Sequence, residues 1–342
     1  GRRLIVANHL PEVRPFLDDE NPTIAAEVSV IDVDEGRLIR NIELPNGSQG
    51  LRGIAVSPDG QYAVATHILS HWLVPPTEIE KGAMNMNALS LIDAETLEWV
   101  ETVILDDPNL GAANPWAVAF AGDGRHLLVT HAGTHELSVI DWPALLQRVA
   151  SRGGATGLYD EDDLTMMAGI RRRIPLGVNG PRALLERDGR VYVPGYYSSD
   201  LATVDLTEAE PAAHVVSLGE SSQESPARLG EQYFNDAKLC FQQWQSCATC
   251  HPDGRSDTLN WDLLNDGVAN TKNTKSLLMS ALTPPVMWRG VRADAGVAVR
   301  AGIHHIQFVE PLPEQAEAID AWLLHMRAVP GPALDAGAVE GP

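Results

Sequence analysis

Two thiols, Cys247 and Cys250, stand three residues apart, and His251 follows the second directly. Thiols at this spacing can add to the two vinyl groups of one porphyrin while the adjacent imidazole reaches its iron from the same face. Cys247-Ala248-Thr249-Cys250-His251 is therefore expected to attach one haem c, with His251 as the proximal axial ligand. A thiol redox pair would want a βαβ setting, and a structural zinc site would want a second close pair of ligands; neither surrounds this motif. The remaining cysteine, Cys240, has no partner and reads as a buried, inert thiol. For the distal axial position the candidates are His305, His304, Met287 and Met279, since imidazole and thioether both ligate haem iron.

The chain that must position these groups has 342 residues, 44% of them hydrophobic, enough for two domains with real cores. Its formal charge of −21 disfavours nucleic acid and anionic membrane surfaces and favours a basic redox partner. No apolar run reaches the roughly 18 residues of a membrane-spanning helix. The sequence opens on Gly1 with no leader, which reads as a mature form or a fragment, and haem attachment makes a periplasmic or extracellular location the expectation.

The first two-thirds repeats. Gly53-Ile54-Ala55-Val56-Ser57-Pro58-Asp59-Gly60 is echoed by Ala117 to Gly124 and by Arg182 to Gly189, each ending in an Asp-Gly hairpin signal. An apolar strand follows each turn: Tyr62 to His67, His126 to His131 and Val191 to Tyr196, with a fourth copy at Leu4 to His9. A further strand recurs as Val28 to Asp32, Leu89 to Asp93, Leu137 to Asp141 and Leu201 to Asp205, alternating with period two. Four short strands per unit is the signature of a propeller blade. The copies lie about 60 residues apart because insertions such as Ser70 to Asn87 and Trp142 to Arg171 follow the core strands. In this alignment His9, His67 and His131 share one position, with Tyr196 in the fourth place. Rotation about a propeller axis would bring them to one face, as a metal or substrate site or as hydrogen-bonded loop residues.

These repeats resemble the YVTN-type β-propeller. The resemblance covers about three and a half blades over residues 1–219 and implies part of a larger, seven-bladed ring, completed by an upstream segment or another chain. Residues 220–228 read as a linker, 229–328 as a small all-α cytochrome c domain and 329–342 as a tail or linker. Within the cytochrome part, Arg228-Leu229-Gly230-Glu231-Gln232-Tyr233-Phe234, the haem motif, Asn260 to Gly267, Asn273 to Leu278 and Thr283-Pro284-Pro285 resemble the bacterial dihaem cytochrome c peroxidases and the related methylamine-utilisation enzymes. That likeness implies a haem pocket including Trp261, Leu277, Pro285 and Trp288. Because Ala298 to Ile303 matches the helix preceding the distal ligand, it favours His305, then His304, with Met287 behind. Members of that branch carry two haem motifs; this sequence carries one.

Three functions follow as expectations: electron transfer by a periplasmic single-haem cytochrome, a peroxidase-like or protein-modifying haem oxidoreductase with substrate on the propeller face, and a propeller binding module whose haem is structural or sensing. Whether the chain is an enzyme stays open at this level.

Overall fold

The computed structural model describes residues 2–14, 23–72, 74, 77–78, 82, 84–152, 163–219, 225–263 and 270–327. The expected tail at 329–342 and most of the linker, 220–224, lie outside the described residues.

Four antiparallel sheets follow one another. The first holds β1 (Arg3–Ala7), β4 (Glu27–Asp32) and β5 (Arg37–Glu43), with β2 (Glu12–Arg14) and β3 (Thr23–Ala25) paired as a side hairpin. The second is β6 (Ser48–Val56), β7 (Tyr62–Ser70), β8 (Asn85–Asp93) and β9 (Glu98–Ile104), in that order. The third is β10 (Pro115–Phe120), β11 (His126–His131), β12 (Glu136–Asp141) and β13 (Arg171–Pro175), and the fourth β14 (Leu185–Arg187), β15 (Arg190–Pro194), β16 (Asp200–Asp205) and β17 (Ala213–Ser217). Each is an up-and-down meander, as expected of propeller blades.

Local chemistry sets the turns. Asp59 and Asp123 accept backbone N–H groups two residues on, and Gly60 and Gly124 follow at φ 73° and 67°. The Asp closing each third strand repeats one device: Asp32, Asp93 and Asp205 each accept the N–H two residues ahead. Asp141 instead caps helix α1 (Trp142–Ser151) by accepting from Ala144 N, so the insertion starts from the same residue that elsewhere makes a turn.

Packing explains why the middle strands read as unbroken apolar runs. On β7, Ala63 and Ala65 face the first blade while Val64 faces the third; on β11, Leu127 and Val129 face the second blade while Leu128 faces the fourth. Period-two alternation thus buries both faces of an inner blade, each aliphatic side chain contributing about 1.5–3 kcal/mol. The end blades differ. Leu4, Leu38 and Ile39 on the first, and Leu185, Val215 and Val216 on the fourth, are exposed.

Beyond the sheets the chain turns helical: α2 (Pro226–Asn235), α3 (Cys247–Cys250), the short pair β18 (Asn260–Trp261) and β19 (Lys272–Asn273), then α4 (Ala295–His305) and α5 (Pro313–His325). Ser225 caps α2 through its side chain, with Pro226 in the first turn. α2 and α5 cross closely at Gly230, where a Cβ would stand 1.9 Å from the carbonyl oxygen of Ala318. The helical region sits on one end of the blades: Gly111 N donates to the Gln242 carbonyl, and Ala237 N to that of Gly133.

Candidate haem site

The haem motif is one helical turn. Ser246 N donates to Thr249 Oγ1 at its start, and His251 N donates to the Cys247 carbonyl at its end, which stacks Cys247, Cys250 and His251 along one side. His251 Nδ1 lies 3.3 Å from the Arg255 carbonyl. An N–H donated there fixes the tautomer and leaves Nε2 free for iron. Burial lowers the His251 pKa, keeping the imidazole neutral. Burial also pushes the Cys247 thiol up to about 11 and holds the Cys250 thiol well above its ordinary value, the opposite of the lowered pKa that makes a cysteine pair redox-active.

All three motif side chains open into a single cleft of about 1330 Å³ counted to its mouth, lined by Phe234, Leu277, Val286, Ile303, Ile319 and Leu323 among others. Largely apolar walls around two thiols and an imidazole fit a porphyrin. The residues present therefore fit a haem c. Cys247 and Cys250 would hold it by thioethers, and His251 would ligate an iron able to cycle between two oxidation states.

Of the predicted pocket residues, Trp261, Leu277 and Trp288 line the cleft. Trp261 is anchored by Nε1 donating to the buried Asp257 Oδ2 at 2.9 Å, and Trp288 by Nε1 donating to the Asn273 carbonyl at 2.6 Å. Pro285 is a correction: it is exposed and packs on the turn at Gly290, and Val286 takes the buried place. The distal candidates lie in different places. Met287 lines the cleft, whereas His304 and His305 are exposed at the end of α4, their rings edge to face and His304 paired with Glu310. The reason is helical phase: Ile303 points inward, so the next two positions rotate away from the cleft. Met279 is 39% exposed and outside the lining.

The propeller supplies groups that the motif alone could not reveal. Gln49 Nε2 donates to the Thr249 carbonyl at 3.0 Å, Asn87 Nδ2 to the Trp244 carbonyl at 3.0 Å, and Asn114 Nδ2 to Ser246 Oγ at 2.8 Å. Asn85 Nδ2 reaches both Gln245 Oε1 at 2.6 Å and Cys250 Sγ at 3.6 Å. From the opposite side Gln307 Nε2 stands 3.9 Å from Cys247 Sγ, so each attachment sulfur faces one amide N–H. Met84, fully buried, brings a propeller side chain into the cleft wall. The only sequence signal for these residues is the pair Asn85 and Asn87 in an otherwise apolar strand. Cys240 is buried with its thiol pushed up to about 12, packed beside Trp244 and Leu259.

The blade histidines are corrected by register. Ala65 pairs with Ser90 and Val129 with Ser138, placing His67 and His131 two residues on; in the first blade Val6 pairs with Ser29, so the equivalent residue is Asn8, not His9. In the fourth blade it is Gly195, and Tyr196 instead shares His9's position. All three true equivalents reach the serine at the matching position of their own blade: His67 to Ser90 at 2.8 Å, His131 to Ser138 at 2.7 Å and Asn8 to Ser29 at 2.9 Å. In both histidines Nδ1 meets a backbone carbonyl, so Nε2 accepts from the serine and no lone pair is left for a metal. Among the described residues, no group of three or more His, Cys, Asp or Glu side chains could hold a metal ion.

Fold and site together define a β-propeller joined to a c-type haem domain. Residues 224–323 match the family model described as di-haem cytochrome c peroxidase, and it is this domain that contains the cleft. Among curated proteins, the chain is 28% identical to hydrazine synthase subunit beta of Kuenenia stuttgartiensis over 184 residues, 53% of this chain and 47% of that protein. It is 39% identical to the gamma subunit of the same synthase over 64 residues, 18% of each. Among solved structures, Kuenenia stuttgartiensis hydrazine synthase superposes with a TM-score of 0.51 at 24% identity, covering 60% of this chain and 56% of that one, which shows shared fold. The chain thus spans about half, or less, of the curated relatives it matches.

Proposed function

We propose that this chain is a periplasmic electron-transfer cytochrome whose one haem c would be tethered by Cys247 and Cys250 and held at its iron by His251 and Met287. The observation that supports this most is that His251 and the Met287 thioether line one largely apolar cleft that His304 and His305 do not line. When bound, haem c supplies a one-electron couple. The chain's own residues do the rest: Cys247 and Cys250 tether, the Arg255 carbonyl orients His251, and the aliphatic walls keep water out, which holds the potential of such a centre in place. Similarity of one chain to two subunits of one synthase favours work within an assembly. The uncovered apolar faces of the end blades favour further blades or a partner chain beside them.

Absorption and electron paramagnetic resonance spectra of the ferric protein test the ligand set. A low-spin, six-coordinate iron that becomes high-spin in Met287→Ala, and stays low-spin in His304→Ala and His305→Ala, is the expected outcome. A native protein with high-spin iron that reacts with peroxide would instead favour a peroxidase-like activity, the reading that the matched family's own description favours.

A further inference from the structure

The haem cleft carries charge of one sign. Its described lining includes Lys272 and Lys275 and no Asp or Glu. Both lysines belong to a stretch, 271–293, that holds four basic residues and no acidic one, within a chain whose net charge is −21. Lys272 lies half-buried along the wall, its Nζ donating to the Asn270 carbonyl at 3.0 Å. Lys275 is exposed and makes no ion pair among the described residues; its Nζ lies over an aromatic face, 5.4 Å from the centre of the Trp288 ring. That ring is itself fixed by Nε1 donating to the Asn273 carbonyl at 2.6 Å. A cation held at this distance from an indole still has its N–H donors to give.

The cleft also has two distinct sides. Cys250 Sγ lies against Asn85 of the propeller, whereas Lys275 and Trp288, the latter 57% exposed, stand where the cleft meets solvent. A haem attached through Cys247 and Cys250 has its vinyl edge fixed at the motif, and its two ionised carboxylates project from the opposite edge. Such carboxylates are costly in an apolar cleft unless they reach water or a cation.

We propose that Lys275 is that cation: it binds a haem carboxylate at the mouth of the cleft, with the Trp288 ring steadying its ammonium and Lys272 adding a second positive charge along the same wall. This rests on the reading that haem c occupies the cleft. Infrared difference spectra taken across pH, on protein whose haem is isotopically labelled at its carboxyl carbons, test it. The label separates the haem carboxylates from Asp257, which accepts from Trp261 in the cleft wall, and from the unlabelled His251 and Lys272.

An ammonium beside a carboxylate favours its ionised form, so in Lys275→Gln one labelled carboxylate is expected to bind its proton about tenfold more tightly and to titrate at higher pH. Lys275→Arg is expected to restore the native titration, and Arg300→Gln, which removes a surface charge paired with Asp320, to leave it unchanged. Should Lys275→Gln not accumulate, Lys275→Met keeps a stem over Trp288 and repeats the test. A labelled titration in the haem-loaded Lys275 variant equal to that of the native protein would overturn this proposal alone, and so would an equal shift in Arg300→Gln, which would make the effect one of net charge. A native protein with no attached haem would overturn it together with the reading beneath it.

Discussion

The propeller and the haem region solve burial in different ways. An inner blade is finished by its neighbours: alternate residues of β7 and β11 enter cores on either side, and its polar interior, such as His67 with Ser90, is paired within the blade. In the helical region Phe234, Ile303, Ile319 and Leu323 pack into one core that also forms a wall of the cleft, so one set of side chains serves both the fold and the site. The propeller offers fixed amides to the haem motif, whereas the haem region keeps an apolar cleft open beside its core.

The contrast can be broken first at the tether. Cys250→Ser is expected to abolish the fully covalent haem and to broaden unfolding of the helical region while the strand signal in circular dichroism persists; equal loss in both regions would erase the distinction. On the propeller side, Leu127→Ala removes a fully buried side chain between the second and third blades and is expected to cost about 2–5 kcal/mol in denaturant unfolding, with the haem spectrum unchanged.

A finer test lies where the regions touch. Asn85→Leu deletes the amide shared by Gln245 and Cys250 Sγ, and is expected to shift the haem reduction potential measurably while leaving haem content intact. An unchanged potential would make the propeller a mere support. The smallest effect concerns pH. Burial raises the carboxyl of Asp257 to about 7, so the folded protein holds a proton that the unfolded chain has lost above about 3.8. That contribution is fully present below pH 3.8 and is lost as pH rises through about 7. Asp257→Asn should therefore flatten the fall in melting temperature across that window, measured against the parent.

What was legible in the sequence depends on how local each signal is. The haem motif needs only one helical turn, and the Asp-Gly turns and Ile-Asp strand ends carry their own hydrogen bonds, so motif and blades could be read directly. Register could not. The aliphatic run Leu4 to Ala7 of β1 has no polar alternation that would fix it, and a slip of one residue put His9 where Asn8 belongs. The exposure of His304 and His305 was not legible because helix phase is set by Ile303 packing inward, which a mixed run of valines and small residues does not announce. Gln49, Asn85 and Asn114 act on residues 132 to 200 positions away, a separation that only the assembled fold closes.

The central claim is a haem tethered through Cys247 and Cys250 in that cleft. Intact mass spectrometry of the purified protein, with a haem absorption spectrum taken after full denaturation, tests it most directly. The account predicts the mass increment of one haem and a haem spectrum that stays with the unfolded polypeptide; an unmodified mass with no Soret band would contradict it.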